Sequence, residues 1–229
     1  MRNDSGETLV VVANQIVQAR HKLDPRQQKV IAWAIGQIAR DDTDFTPLKL
    51  SVSEFAKLTG TGSGNIYSQM EAVTKSLLRS VVEIRIQDGD RSRLAFQWLS
   101  ECTYREGQGT VDIQFHDRLK PYLLELRSRF TQLRLERFYK FRSTYTIRFF
   151  ERVEMLRGLN RMSWQMTLAD LKDWLGLEPT AYADGFSAMK AYVLDVAQKE
   201  LDQKSDWSFS FVTIKTGRKI TGIEFTIRP

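Results

Sequence analysis

One cysteine, Cys102, and two histidines, His21 and His116, are all that this chain of 229 residues offers to thiol or imidazole chemistry. A lone cysteine excludes an internal disulfide and a cysteine-cluster zinc site, and it makes a reducing cytoplasm the simplest setting. No adjacent histidine or basic residue marks Cys102 as a nucleophile. The two histidines stand far apart, whereas a metal-dependent nicking enzyme of the rolling-circle kind needs two separated by one residue, plus a nucleophilic tyrosine. No apolar run approaches the roughly 20 residues that span a bilayer, so no membrane is expected. Met1 to Glu7 is polar and lacks the layout of a signal peptide. The glycine-rich stretch Gly60 to Gly64 has no Lys-Ser/Thr after it and no strand before it, so it reads as a turn and not as a phosphate loop. Asp41, Asp42 and Asp44 read as a solvated loop. No catalytic constellation is visible, and neither a cofactor nor a metal is expected.

What is present points elsewhere. Hydrophobic residues make up 42% and charged residues 27%, the composition of an ordinary globular protein long enough for two domains. The net charge is +6 and the pI about 9.4. Between Arg118 and Arg161 twelve Lys/Arg face four acids, more than the whole positive excess of the chain. Phe130, Phe138, Tyr139, Phe141, Tyr145, Phe149 and Phe150 are interleaved with these cations. A solvated helix face usually mixes signs, so one-signed charge among aromatics favours a polyanion footprint over a solubilising surface.

The chain also carries one pattern twice. Ser51-Val-Ser-Glu54-Phe55-Ala-Lys-Leu58-Thr-Gly60 is echoed by Thr167-Leu-Ala-Asp170-Leu171-Lys-Asp-Trp174-Leu-Gly176 at an offset of 116 residues. At the same offset Met70 meets Phe186, Val73 meets Met189, and Leu77-Leu78 meet Val193-Leu194. Each copy has a hydroxyl cap with an acid three residues on, a short apolar-faced helix, a glycine stop and a longer amphipathic helix. A β-hairpin follows each, which makes a winged helix. Val81 to Ile86 and Leu94 to Trp98 read as strands around Asp88-Gly89-Asp90, with a second turn at Gly107-Gln-Gly109. Ser208 to Ile214 and Ile220 to Ile227 form the last hairpin. Asp24-Pro25 with Gln27 opens an earlier helix. Val10 to Val12 reads either as a short strand or as the lead-in to a helix. Further helices follow Pro121 and run from about Ser143 to Arg157. The expected fold is α+β, two tandem winged-helix domains over residues 1–133 and 134–229, with the boundary near Leu133 inside helical sequence.

In a winged helix the second helix of the pair enters the major groove and the wing reaches backbone or minor groove. In the second domain that helix is expected to start near Ala183 and to present Asp184, Ser187, Lys190 and Ala191. Lys215, Arg218 and Lys219 crown the wing, and Arg142 and Arg148 lie nearby. In the first domain Asn65, Ser68 and Lys75 hold the matching helix positions, with Arg91 and Arg93 beyond the turn. The first 133 residues carry a net +2 and the remainder +4, so the second domain is expected to be the main sequence reader.

Further markers run along nearly the whole chain. They are Ala13-Asn14-Gln15-Ile16-Val17-Gln18-Ala19-Arg20, Phe130-Thr131-Gln132-Leu133, the run from Tyr139 through Ser143 and Tyr145 to Phe150, and Gly217-Arg218-Lys219-Ile220-Thr221-Gly222-Ile223-Glu224-Phe225. In their order and spacing the chain resembles the iteron-binding plasmid replication initiators, whose fold is two winged helices in tandem. It departs from the pattern in the second recognition helix, where several basic residues are common but Gly185, Ala188, Ala191 and Tyr192 stand and only Lys190 is basic, and at Leu133, where an aromatic is common. The resemblance implies binding of double-stranded origin repeats as a monomer, and a homodimer in equilibrium with it that represses the protein's own gene. It also implies contacts with the host initiator and the replicative helicase, and a dimer surface on the first domain. A tandem winged-helix transcriptional regulator without an initiation role is the alternative.

Overall fold

The computed structural model of the protein describes residues 8–62, 64–86, 92–124, 126, 129–183 and 185–229. Strand β1 (Leu9–Ala13) leads through α1 (Asn14–Gln18) and β2 (Arg20–His21) to α2 (Pro25–Gly36). The start of α2 is dictated locally. Asp24 accepts from the backbone N–H groups of Arg26 and Gln27 at 2.8 and 2.9 Å, and the Gln27 side chain accepts from the Asp24 N–H at 2.8 Å. Pro25 sits where a helix has no use for an N–H.

Next come β3 (Leu48–Ser51), α3 (Val52–Thr59), α4 (Ile66–Leu77) and two hairpins, β4 (Val81–Arg85) with β5 (Arg93–Gln97) and β6 (Leu99–Arg105) with β7 (Thr110–Phe115). After α5 (Lys120–Leu123), strand β8 (Phe130–Arg134) returns to pair antiparallel with β1, Leu133 opposite Val10. The remainder comprises α6 (Leu135–Lys140), α7 (Thr144–Gly158), β9 (Ser163–Thr167), α8 (Leu168–Trp174), α9 (Phe186–Met189), a π-helical turn over Lys190–Leu194, α10 (Asp195–Lys204), β10 (Ser208–Thr216) and β11 (Lys219–Arg228). Among the described residues no helix is long and apolar enough to cross a membrane.

The repeat in the sequence is a repeat in space. The strand entering each first helix pairs with the last strand of the hairpin that follows, in orders β3-β7-β6 and β9-β11-β10. Ser51 faces Thr110 and Thr167 faces Gly222, so both helix caps occupy the same place in their sheets. Both capping hydroxyls accept from the acid's backbone N–H, at 3.2 Å from Glu54 and 3.0 Å from Asp170. Gly60 and Gly176 end the two helices with the same φ of +69°, a left-handed conformation that glycine adopts without steric cost. Val10 to Val12 is resolved as strand.

Four expectations are corrected. The wing of the first half is β6–β7, and β4–β5 is an additional hairpin that forms its own sheet with β2. Asp88, Gly89, Asp90 and Arg91 of that hairpin lie outside the described residues. Leu133 sits in a strand and not in a helix, because Thr131 and Leu133 are buried while Phe130, Gln132 and Arg134 are exposed, a period of two. The helix at Pro121 is only four residues long. The second helix of the second pair begins at Phe186 and not near Ala183, since Tyr182 (φ +55°) and Gly185 (φ +137°) hold the chain out of helical conformation.

Candidate nucleic-acid interface

The second half presents a helix and a wing on one side. In the continuous helical run α9, π-turn and α10, Met189, Val193, Leu194, Ala197 and Leu201 are buried, while Ser187, Lys190, Ala191 and Tyr192 are exposed. Asp184 lies outside the described residues. Lys190 is held by both carboxylate oxygens of Asp195 at 2.8 Å and lies 5.7 Å over the Phe211 ring of the wing strand β10. Tyr192 is the side chain that sequence reasoning missed. It is 67% exposed, the most open of the large hydrophobic residues. The π-turn inserts one residue into the helical ladder and so rotates the outward face at this position. Nothing in the apolar pattern signals a π-turn.

The wing reaches past its own sheet. Strand β9 covers β11 only from Gly222 to Thr226, leaving the β10–β11 hairpin to project beyond it by about four residues, roughly 13 Å at strand rise. Lys215, Arg218 and Lys219 are all exposed on that projection, and none has an ion-pair partner among the described residues. Arg142 is exposed at the start of α7. Its backbone N–H donates to Glu200 at 2.9 Å, and its side chain shares a shallow groove with Lys199, Gln203 and Lys204.

The first half differs. Asn65 caps α4 by accepting from the Ser68 N–H at 3.4 Å, and both side chains are exposed. Lys75 pairs with Glu71 and lies 5.3 Å over the Tyr104 ring of β6, the counterpart of Lys190 over Phe211. The wing tip here is Glu106 to Gly109. Strand β3 accompanies it to its end at Thr110, and Arg105 is tied to Asp112 at 2.8 Å. This hairpin neither projects nor carries free cations among the described residues.

Two candidate contacts are corrected. Arg93 belongs to the additional hairpin and not to a wing. It is bonded to Glu83 and, across the halves, to Asp173 of α8, both at 3.0 Å, and the Glu83 and Asp173 carboxylates raise its pKa further. Arg85 and Arg20 reach the same Asp173. Arg148 is 2% exposed and cannot meet a polyanion. One of its terminal nitrogens binds His21 Nε2 at 2.7 Å and Glu151 at 3.0 Å. The other donates to the carbonyls of Val17, Ala19 and Trp174. Burial lowers its pKa, against the Glu151 charge, which raises it. Trp174 Nε1 donates to the Val17 carbonyl at 2.9 Å, and a Cβ on Gly176 would run into the His21 carbonyl. The two winged helices therefore meet through a buried polar seam flanked by exposed ion pairs.

Both halves match known families. Residues 9–154 match the family described as initiator replication protein, WH1, and residues 167–227 match initiator Rep protein, WH2. An uncharacterized 27.6 kDa protein of Escherichia coli is 23% identical over 204 residues, 84% of each chain. The crystal structure of the Pi initiator protein in complex with iteron DNA superimposes with a TM-score of 0.75 at 18% identity, over 96% of this chain and 97% of that one. At that identity the likeness is one of fold, and it matches the expected pair of winged helices.

Proposed function

This chain belongs to the initiator replication protein family, with both its WH1 and WH2 parts, and from that premise we propose that it initiates plasmid replication by binding repeated origin DNA. The observation that carries the reading is the second wing: three cations without an ion-pair partner among the described residues on a projecting hairpin, beside a helix whose open face is made of Ser187, Ala191 and Tyr192. Cations on such a tip suit phosphate contact, and beside Tyr192 the small side chains of Ser187 and Ala191 let the helix approach base edges closely. The Pi initiator, of the same fold, is seen bound to iteron DNA.

The division of labour follows the asymmetry of the wings. Residues 134–229 read the repeat, and residues 1–133 add backbone contact and a self-association surface. Dimer formation, repression of the protein's own gene and recruitment of the host initiator and helicase rest on family membership. The test is replication itself: a plasmid carrying the repeats beside the gene should be maintained only when this protein is supplied. A regulator of the same fold would bind those repeats and leave the plasmid unreplicated.

A further inference from the structure

A cleft of about 580 Å³ opens between the two halves, walled by α1, the β4–β5 hairpin, the end of α7 and α8. Six arginines line it against three carboxylates. Arg20, Arg85 and Arg93 are taken up by Glu83, Asp170 and Asp173. Arg129, Arg152 and Arg161 have no carboxylate within ion-pair distance among the described residues.

Arg152 is the most informative of the three. Its guanidinium lies 5.0 Å over the Trp174 ring and 5.9 Å from that of Trp164, and its Nε is buried without a hydrogen-bond partner. Burial, and then the charge of Arg148 nearby, bring its pKa down to about 10. A half-buried guanidinium with no carboxylate beside it among the described residues leaves its remaining donors open to an anion. Arg129, on the first half, is fixed in a left-handed conformation (φ +54°) by the bond from the Asn14 N–H to its carbonyl at 2.8 Å. Arg161 follows α7 and is exposed.

We propose that this cleft is a phosphate-binding site in which Arg152, Arg161 and Arg129 bind one phosphate-bearing ligand. Three guanidinium groups without a carboxylate partner among the described residues suit a multiply charged phosphate better than a single carboxylate, and their planar forks match its oxygens. The volume falls within the range of roughly 300–1,000 Å³ for small-molecule sites, large enough for a mononucleotide. The site is separate from the proposed DNA-reading wing. Ser163, two residues after Arg161, pairs with Thr226, about eight residues along β11 from the wing tip, roughly 26 Å. Arg129 and Arg152 fall within the WH1 match and Arg161 just beyond it, while Asp170, Asp173 and Trp174 of the second winged helix line the same cleft, so an occupied site ties the two winged helices together.

The test uses the full chain, with inorganic phosphate, pyrophosphate and AMP as probes, each against chloride at equal ionic strength. Tryptophan fluorescence and thermal unfolding are the readouts, since Trp164 and Trp174 flank Arg152. A saturable fluorescence change with a rise in melting temperature is expected for the phosphates and not for chloride. The double variant Arg129→Ala/Arg161→Ala removes two exposed side chains and should fold as the wild type does. Its affinity should fall at least tenfold. Displacement of the probe by a random duplex would identify the physiological phosphate as nucleic-acid backbone, and lack of displacement would identify a free ligand. A response no different from chloride, or one unchanged in the double variant, overturns the proposal.

Discussion

Arg148 spends five hydrogen bonds on the interior, and what it holds is the seam between the halves. Replacing it by Met would keep much of the volume and leave three carbonyls, Glu151 and His21 without their donor. A loss of about 3–5 kcal/mol is expected in chemical denaturation, the cost of breaking a buried charged network by removing one partner. Arg148→Lys should recover little, since an ammonium cannot span the same acceptors. His21 accepts from Arg148 through Nε2, so its proton sits on Nδ1, a buried atom without a partner. Burial first and the Arg148 charge second hold its pKa well below 6.5. The unfolded chain takes up that proton and the folded chain does not. The stability contributed by neutral His21 is therefore intact above pH 6.5 and is lost as the pH falls below it. Glu151, raised above 4.5 chiefly by burial, titrates in the opposite sense, so the informative quantity is a difference. Between pH 6.5 and 5 the denaturation midpoint of the wild type should fall more steeply than that of His21→Gln. Equal slopes would contradict the neutral, buried state of His21.

At the scale of elements, the two helix-ending glycines form a matched pair. Both have φ of +69°, but a Cβ at Gly60 meets nothing within 4 Å, whereas one at Gly176 meets the His21 backbone. Gly60→Ala should cost only the left-handed backbone term, about 1–2 kcal/mol, and Gly176→Ala distinctly more in the same denaturation measurement. For the wing, Arg218→Ala/Lys219→Ala should weaken binding to any duplex and reduce the salt slope by about one unit per lost phosphate contact. An unchanged slope would mean that the tip does not touch backbone. The helix starts at Asp24, Ser51 and Thr167 were legible in the sequence because a cap is made within four residues. So was the final hairpin, whose Ile223, Phe225 and Ile227 alternate with more open neighbours. The short strands β2, β3 and β9 were not, since their partners lie elsewhere in the fold, and neither was β6, whose burial does not alternate. Strand β8 reads as helical in the sequence because its partner is the distant β1. Arg148 looked like a surface cation for the same reason: four of its five acceptors come from residues remote in sequence. The wing cations Lys215, Arg218 and Lys219 were legible, because a charged turn between two alternating strands can only lie at a tip.

Across the whole molecule, the seam joins the two winged helices into a single unit, with one projecting cationic wing and one short, neutralised one. The partly solvated ion pairs of Asp173 with Arg20, Arg85 and Arg93 contribute little stability each, and the buried contacts of Arg148, Trp174 and Gly176 carry the union. A rigid pair of this kind fits a fixed spacing along one duplex, which is what a repeated origin site offers. The most direct test is the affinity of the full chain for the repeat beside its own gene and for a shuffled duplex of equal length and composition, by fluorescence anisotropy at one fixed salt concentration. Binding to the repeat is expected to be tighter by about a thousandfold or more, the ratio typical of specific recognition. Equal affinity for the two duplexes would contradict sequence-specific reading by this chain.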